Sequence, residues 1–177
     1  MLGTAVLLRL LGRVWWCECG QWFVASWDIW SRHNSQHLID PYFFSHVLHG
    51  ILFFPLLAFW SNKLSLSVRY RLVMLIEAFW EVLENSPFII ERYREGTIAL
   101  SYFGDSIANS MFDLLACCLG FVLAAKLRPW QSVAVFITTE VIMLLAIRDN
   151  LFLNVLMLIA PLDIIREWQM SAGIATP

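Results

Sequence analysis

The sequence predicts an all-α membrane protein, a polytopic bundle of five to six transmembrane helices. Three observations predict it. Of the 177 residues, 59% are apolar and only 15% are charged, whereas soluble domains carry about 25% charged residues. Nine tryptophans and thirteen phenylalanines suit a chain whose solvent is partly lipid, because aromatic rings settle at membrane interfaces. Several apolar runs also approach about 20 residues, the length at which a helix crosses a bilayer. The net charge of −2 and the lack of any basic tract exclude nucleic acid as a partner. No linker, low-complexity run or internal repeat interrupts residues 1–177, which read as one integral membrane domain.

The elements follow in order. Met1 to Trp16 is apolar but broken by Arg9 and Arg13, and reads as a stunted first helix. It lacks the small-residue site of a cleaved signal peptide. Cys17 and Cys19 then make a Cys-x-Cys-Gly turn. That spacing suits two metal ligands, whereas a structural zinc site takes four. Phe43 to Trp60, Leu72 to Ile90, Phe103 to Leu127 and Trp130 to Ile147 are the second to fifth spans. Leu151 to Ile165 is a sixth, bent or shortened by Pro161. Within the fourth, Cys117 and Cys118 read as inert packing.

Loop charge sets the expected orientation, since cytoplasmic loops collect Lys and Arg. With six spans, Arg9, Arg13, Lys63, Arg69, Arg71, Lys126, Arg128 and Arg166 fall on one side. That side is expected to be the cytoplasm, with both termini inside and the protein in the bacterial inner membrane.

Carboxylates and histidines inside apolar runs carry the functional signal. Glu77, Glu81 and Glu84 are spaced to share one helix face, as are Asp105, Asn109 and Asp113. Gly120 continues the second stripe, where a bare backbone admits a neighbouring helix. His46 and His49 are three apart at the start of the second span, and Glu140 stands alone in the fifth. A carboxylate at mid-bilayer costs about 2.5–3.5 kcal/mol even on lenient insertion scales, so these groups must face the bundle interior and mark a site by default.

The topology brings them to one polar pocket near the outer face. His46, His49, Glu81, Glu84, Asp105, Asn109 and Asp113 are the catalytic candidates, because histidine beside carboxylate serves either as a general base or as a metal ligand. A divalent metal is the candidate cofactor. Arg92, Arg94 and Arg148 at the rim are the headgroup-binding candidates, suited to phosphate. The expected function is an envelope enzyme or binding protein acting on an anionic lipid or lipid-linked headgroup, with membrane lipid as the partner. The alternatives are a metal- or proton-binding membrane protein and a structural subunit of a membrane complex. No nucleophile elbow, zincin motif or phosphate loop dictates a reaction, which leaves enzyme status open.

The strings "HNSQHLIDPYFFSHVLHGILFF", "IEAFWEVLENSPFIIERYREGTIALSYFGDSIANSMFD" and "IRDNLFLNVLMLIAPLDIIREWQ", with "CECG" before them, closely resemble an uncharacterised bacterial membrane-protein family. It is known as uncharacterised protein family 0314, or domain of unknown function 2585. The resemblance runs from Gly12 to Gln169 and implies a multi-pass inner-membrane protein with no established activity. Matching positions include Cys17, Cys19, His37, Asp40, His46, His49, Glu77, Glu81, Glu84, Asn85, Tyr93, Asp105, Asn109, Asp113, Asp149 and Asn154. Family members carry a longer apolar first helix than this chain does. A fainter likeness, to the VanZ-like membrane proteins, rests on the order His49, Glu81 with Glu84, Arg94, then Asp113 to Gly120. Cys117 stands where that pattern has Asn. This likeness implies envelope lipids or cell-wall precursors.

Overall fold

The computed structural model describes residues 1–60, 63–99 and 102–171. Among them every regular element is helical: α1 (Leu2–Leu10), α2 (Phe43–Trp60), α3 (Leu66–Glu84), α4 (Pro87–Gly96), α5 (Ile107–Lys126), α6 (Pro129–Ile147), α7 (Leu151–Ile159) and α8 (Asp163–Met170). The starts are written in the sequence. Ser65, Ser86, Ser106 and Asn150 each accept a hydrogen bond from the backbone N–H three residues on, satisfying a donor that the first turn leaves free. Pro87 and Pro129 occupy first-turn positions, where a missing N–H costs nothing.

α5 is the central helix, and α2 packs against it more extensively than any other pair. Gly50 and Gly120 make that packing. A Cβ at Gly120 would overlap the Val47 carbonyl, and one at Gly50 would overlap the Cys117 carbonyl. The two backbones therefore touch, as small residues allow between membrane helices. α3 and α1 complete the group around α5. Leu8 of α1 packs with Ile107 and Met111, beside the first turns of α5.

Among the described residues three helices, α2, α5 and α6, are long and apolar enough to cross a membrane. That is fewer than the five or six expected. α3 has the length, at 19 residues, but carries Arg69, Arg71 and three glutamates. α1 and α7 have nine residues each, which at 1.5 Å per residue reach about 14 Å, half of a hydrocarbon core of about 30 Å. α6 leaves Val133, Ile137, Val141, Ile142 and Leu145 exposed, an apolar surface that water does not tolerate on a monomer but lipid does.

The stretch expected as a sixth span folds otherwise. α7 stops before Pro161 and the chain turns back through α8. Arg148 donates to the Trp168 carbonyl at 2.9 Å, and Gln169 Nε2 donates to the Arg148 carbonyl at 2.9 Å. The end of α8 thus returns to the end of α6. Glu140, alone in its apolar run, accepts from the N–H groups of Leu151 at 2.9 Å and Phe152 at 3.0 Å. Its charge caps the positive N-terminus of α7. The basic residues sort differently as well. Arg13 donates to the Phe103 carbonyl and Arg166 to that of Glu95, so both lie at the end where α2 and α5 begin, not at the opposite end where the loop count placed them.

Candidate functional site

His46 and His49 lie on the α2 face that packs toward α3 and α5. Helical spacing sets them edge to face, with ring centroids 5.1 Å apart and planes 73° to one another. Across from them, Glu77 and Glu81 are completely buried on α3. His46 Nδ1 donates to Glu77 Oε1 at 2.6 Å, and His49 Nδ1 donates to the same oxygen at 3.0 Å. One carboxylate oxygen therefore serves two imidazoles. Glu81 Oε1 stands 3.3 Å from His46 Nδ1, yet that nitrogen is already spent on Glu77, and neither Glu81 oxygen has a hydrogen-bond partner. Asp113 Oδ1 and Ser45 Oγ are likewise buried and unpartnered.

A second layer surrounds this core. Asn85 donates to Asp105 Oδ2 at 2.7 Å and receives the Asp105 N–H at 2.7 Å, while Tyr102 donates to Asp105 Oδ1 at 2.9 Å. Tyr93 hydroxyl lies 2.9 Å from Glu84 Oε1 and 3.0 Å from Asn154 Oδ1. Tyr42 donates to Asp149 Oδ2 at 3.0 Å. Burial pushes Asp105 up to about 6, even against the hydrogen bonds from Tyr102 and Asn85. Asp149 is pushed up to about 6 for the same reason, and burial also raises Asp40.

Between these layers lies a cavity of about 60 Å³ accessible to water. A single water needs about 10–15 Å³ measured this way, so the space takes several waters or one small polar group. His46, His49, Glu84, Asp105, Asn109 and Asp113 line it, with Asn34, Ser35 and Asp40 from the loop before α2. Trp80, Ala99, Leu151 and Val155 give it an apolar flank.

The structure thus brings six of the seven sequence candidates to one cavity, with Glu81 beside His46. Asn109 is only partly free, since its Nδ2 donates to the His37 carbonyl at 2.8 Å. The three arginines are not brought there. Arg92 donates to the Leu158 and Ile159 carbonyls and so caps α7, while Arg94 donates to the Tyr102 carbonyl. Arg148 reaches Trp168 and Ser171 because its left-handed backbone (φ 53) turns it away. The spacing shows the shared partner of the histidines, Glu77, only as a member of a stripe. Tyr42, Tyr93, Tyr102, Asn85 and Asn154 gave no signal in the spacing, since each reaches the site by tertiary packing.

Two overlapping sets could hold a metal: His46, His49 and Glu77, and His46, Glu81 and Glu84, the ligand atoms of each set lying within 4.8 Å of one another. Imidazole and carboxylate together suit zinc, iron or manganese.

Sequence comparisons agree over nearly the whole chain. A family model described as a protein of unknown function (DUF2585) matches residues 8–171. A UPF0314 protein of Sinorhizobium fredii is 49% identical over 163 residues, covering 91% of this chain and 82% of its own. One from Paracoccus denitrificans is 47% identical over 95% of this chain and 87% of its own. One from Sphingopyxis alaskensis is 42% identical over 93% and 88%. None of these three is described as VanZ-like. No solved structure matches the chain.

Proposed function

The chain belongs to the DUF2585 (UPF0314) family, whose function is unknown, and from the chemistry of its pocket we propose a metal-dependent, multi-pass inner-membrane protein. The metal is a divalent ion held by His46, His49 and Glu77, with Glu81 beside them. Through that metal the pocket takes the phosphate of a lipid or lipid-linked headgroup. What carries the reading is the unpartnered Glu81 carboxylate, completely buried beside a histidine already committed elsewhere. Buried charge is retained when it is paired or coordinates a metal. The His49–Glu77 and His46–Glu81 separations of 3.0 and 3.3 Å approach those of ligands sharing one ion, which for Zn–N of about 2.0–2.1 Å and Zn–O of about 2.0–2.2 Å stand roughly 3.4 Å apart. The 2.6 Å between His46 and Glu77 is a hydrogen bond that the ion would replace.

The substrate class follows from sign. Asp40, Glu84, Asp105 and Asp113 line the cavity and, among the described residues, no arginine or lysine does, so an anion needs a bound cation to enter. A metal supplies it and inverts the local electrostatics. The metal would polarise a phosphoryl oxygen or a bound water, and His46, His49 and the carboxylates would orient it.

On this reading α2, α3, α5 and α6 cross the bilayer, with α1 beside α5. The end away from the pocket carries Lys63, Arg69 and Arg71 in and before the first turns of α3, and Lys126 and Arg128 around the turn from α5 to α6, with no acidic residue nearby, which favours the cytoplasm for that end. The pocket then faces the periplasm, and so does the end of α8, in place of the cytoplasmic C-terminus expected from six spans.

Mass spectrometry and elemental analysis of the purified protein test the reading. Expected are a divalent metal that Glu77→Gln loses, and a phosphate-bearing lipid that copurifies only with the metal. If neither is present, and Glu77→Gln merely lowers the melting temperature, the cluster is helix packing and the reading is wrong.

A further inference from the structure

A second cluster lies outside this pocket, in the segment before α2 whose Asn34 and Ser35 form part of the pocket wall. Cys17 and Cys19 come together there with His33 and His37, and one ligand atom from each lies within 4.8 Å of the others. The sequence offered Cys-x-Cys as half a zinc site; folding supplies the other half from further along the chain. We propose that these four side chains form a tetrahedral zinc site that clips the segment from Cys17 to His37 over the pocket.

The separations support tetrahedral geometry. With Zn–N of about 2.0–2.1 Å and Zn–S of about 2.3 Å, two nitrogens on one zinc stand roughly 3.3 Å apart, and a nitrogen and a sulfur roughly 3.6 Å. His33 Nδ1 is 3.3 Å from His37 Nε2 and 3.5 Å from Cys17 Sγ. The surroundings are also those of a metal site. His37 Nδ1 donates to the Phe23 carbonyl at 2.8 Å, which leaves the Nε2 lone pair aimed at the cluster, as the outer partner of a metal-bound histidine does. The Cys19 N–H points at Cys17 Sγ and the Gln21 N–H at Cys19 Sγ, each at 3.4 Å. Such donors stabilise thiolates, the form that binds zinc. Two thiolates and two imidazoles select zinc over the harder cations favoured by carboxylate sites.

The site has a mechanical consequence. Asn34 and Ser35, between the two histidines, line the pocket. Ser35 has a left-handed backbone (φ 57), and its carbonyl accepts the Ser106 N–H at 2.9 Å. Gln36 Nε2 donates to the Gly104 carbonyl at 2.7 Å. The strained turn is thus pinned to the start of α5 from one side and held by the zinc from the other. The clip fixes the wall that the pocket's mouth needs.

The test uses the full chain in detergent, stripped of metal and titrated with Co²⁺ under reducing conditions. Expected is a thiolate-to-cobalt charge-transfer band with the intense visible bands of a tetrahedral ion, saturating by two equivalents in the wild type and at one in Glu77→Gln, which lacks the pocket ion. The band should vanish in Cys17→Ser and in His37→Ala and persist in Cys117→Ser. It should also persist in Glu77→Gln, which removes only the pocket ion, so the two metal readings fail separately. Elemental analysis of the protein as purified should find one zinc that Cys19→Ser loses. Should the variants not fold, the wild-type spectrum alone decides. No thiolate band with all thiols titratable overturns the proposal, as does a Cys17–Cys19 disulfide in the native protein, or iron or copper in place of zinc.

Discussion

At Glu81 burial and partnership are furthest out of balance: the side chain is sealed from solvent and neither oxygen receives a hydrogen bond. An uncompensated buried polar group costs about 1–3 kcal/mol. Glu81→Met, which puts an apolar chain of similar length in place of the unpartnered carboxylate, should therefore raise the stability of metal-stripped protein by about that amount, while weakening metal retention at least tenfold. Differential scanning of stripped and loaded protein reads both effects, and a variant less stable in both forms would count against the metal. Asp149 offers a test by pH. Burial places it at about 6, above about 4 in an unfolded chain. Between those values the folded protein keeps a proton that the unfolded chain has lost. Its contribution is therefore full below about pH 4 and is lost as pH rises through about 6. An asparagine in its place would keep an acceptor for Tyr42 without ionising. The stability advantage of Asp149→Asn over wild type should grow from about pH 4 to about pH 8, toward roughly 3 kcal/mol. An advantage that stays flat over that range would remove Asp149 as the cause. Much of the site was legible at this scale, because His46, His49, Glu81 and Glu84 stood at helical spacing in apolar sequence. Their partners were not: Tyr93 and Asn154 approach one another from α4 and α7, 61 residues apart, and no local period records that.

Among the elements, the α2–α5 pair carries the architecture. Gly50 and Gly120 let two backbones meet, and the contact seats His46 and His49 beside α3. Gly120→Ala should drive a methyl into the Val47 carbonyl. The expected cost is about 1–3 kcal/mol, with loss of pocket metal because α2 moves. Thermal unfolding with elemental analysis checks it, and a variant of wild-type stability and metal content would show that the helices are not in backbone contact. The close approach was readable, since Gly120 continued the stripe of Asp105, Asn109 and Asp113. The fate of the last apolar run was not. Leu151 to Ile165 has span-like composition, yet Pro161 ends α7, and the returning α8 is held by Arg148 and Gln169. Composition measures affinity for lipid, not whether a broken helix crosses or turns back. Glu140 shows the same limit: an isolated charge in apolar sequence proves to be the cap of another helix.

For the whole molecule, the all-helical class with membrane-span candidates was legible from composition, whereas the end at which each basic residue lies shows only in the fold. Arg13 and Arg166 join the pocket end through contacts with Phe103 and Glu95, leaving the opposite end with a small and purely basic set of residues. Alkaline phosphatase fused after Met170 should be active, and the same reporter fused after Lys126 inactive; the reverse pattern would invert the protein in the membrane. On the proposed function an ion joins the two histidines to the carboxylates of α3. The most direct measurement is a crystal structure of loaded protein with anomalous differences collected across the edge of the metal found by elemental analysis. The expected peak lies about 2.0–2.3 Å from Nδ1 of His46 and His49 and from a Glu77 oxygen, with Glu81 turned toward it. If that space holds only water while Glu77 bonds both histidines and the Cys17 cluster carries its zinc, the pocket is not a metal site.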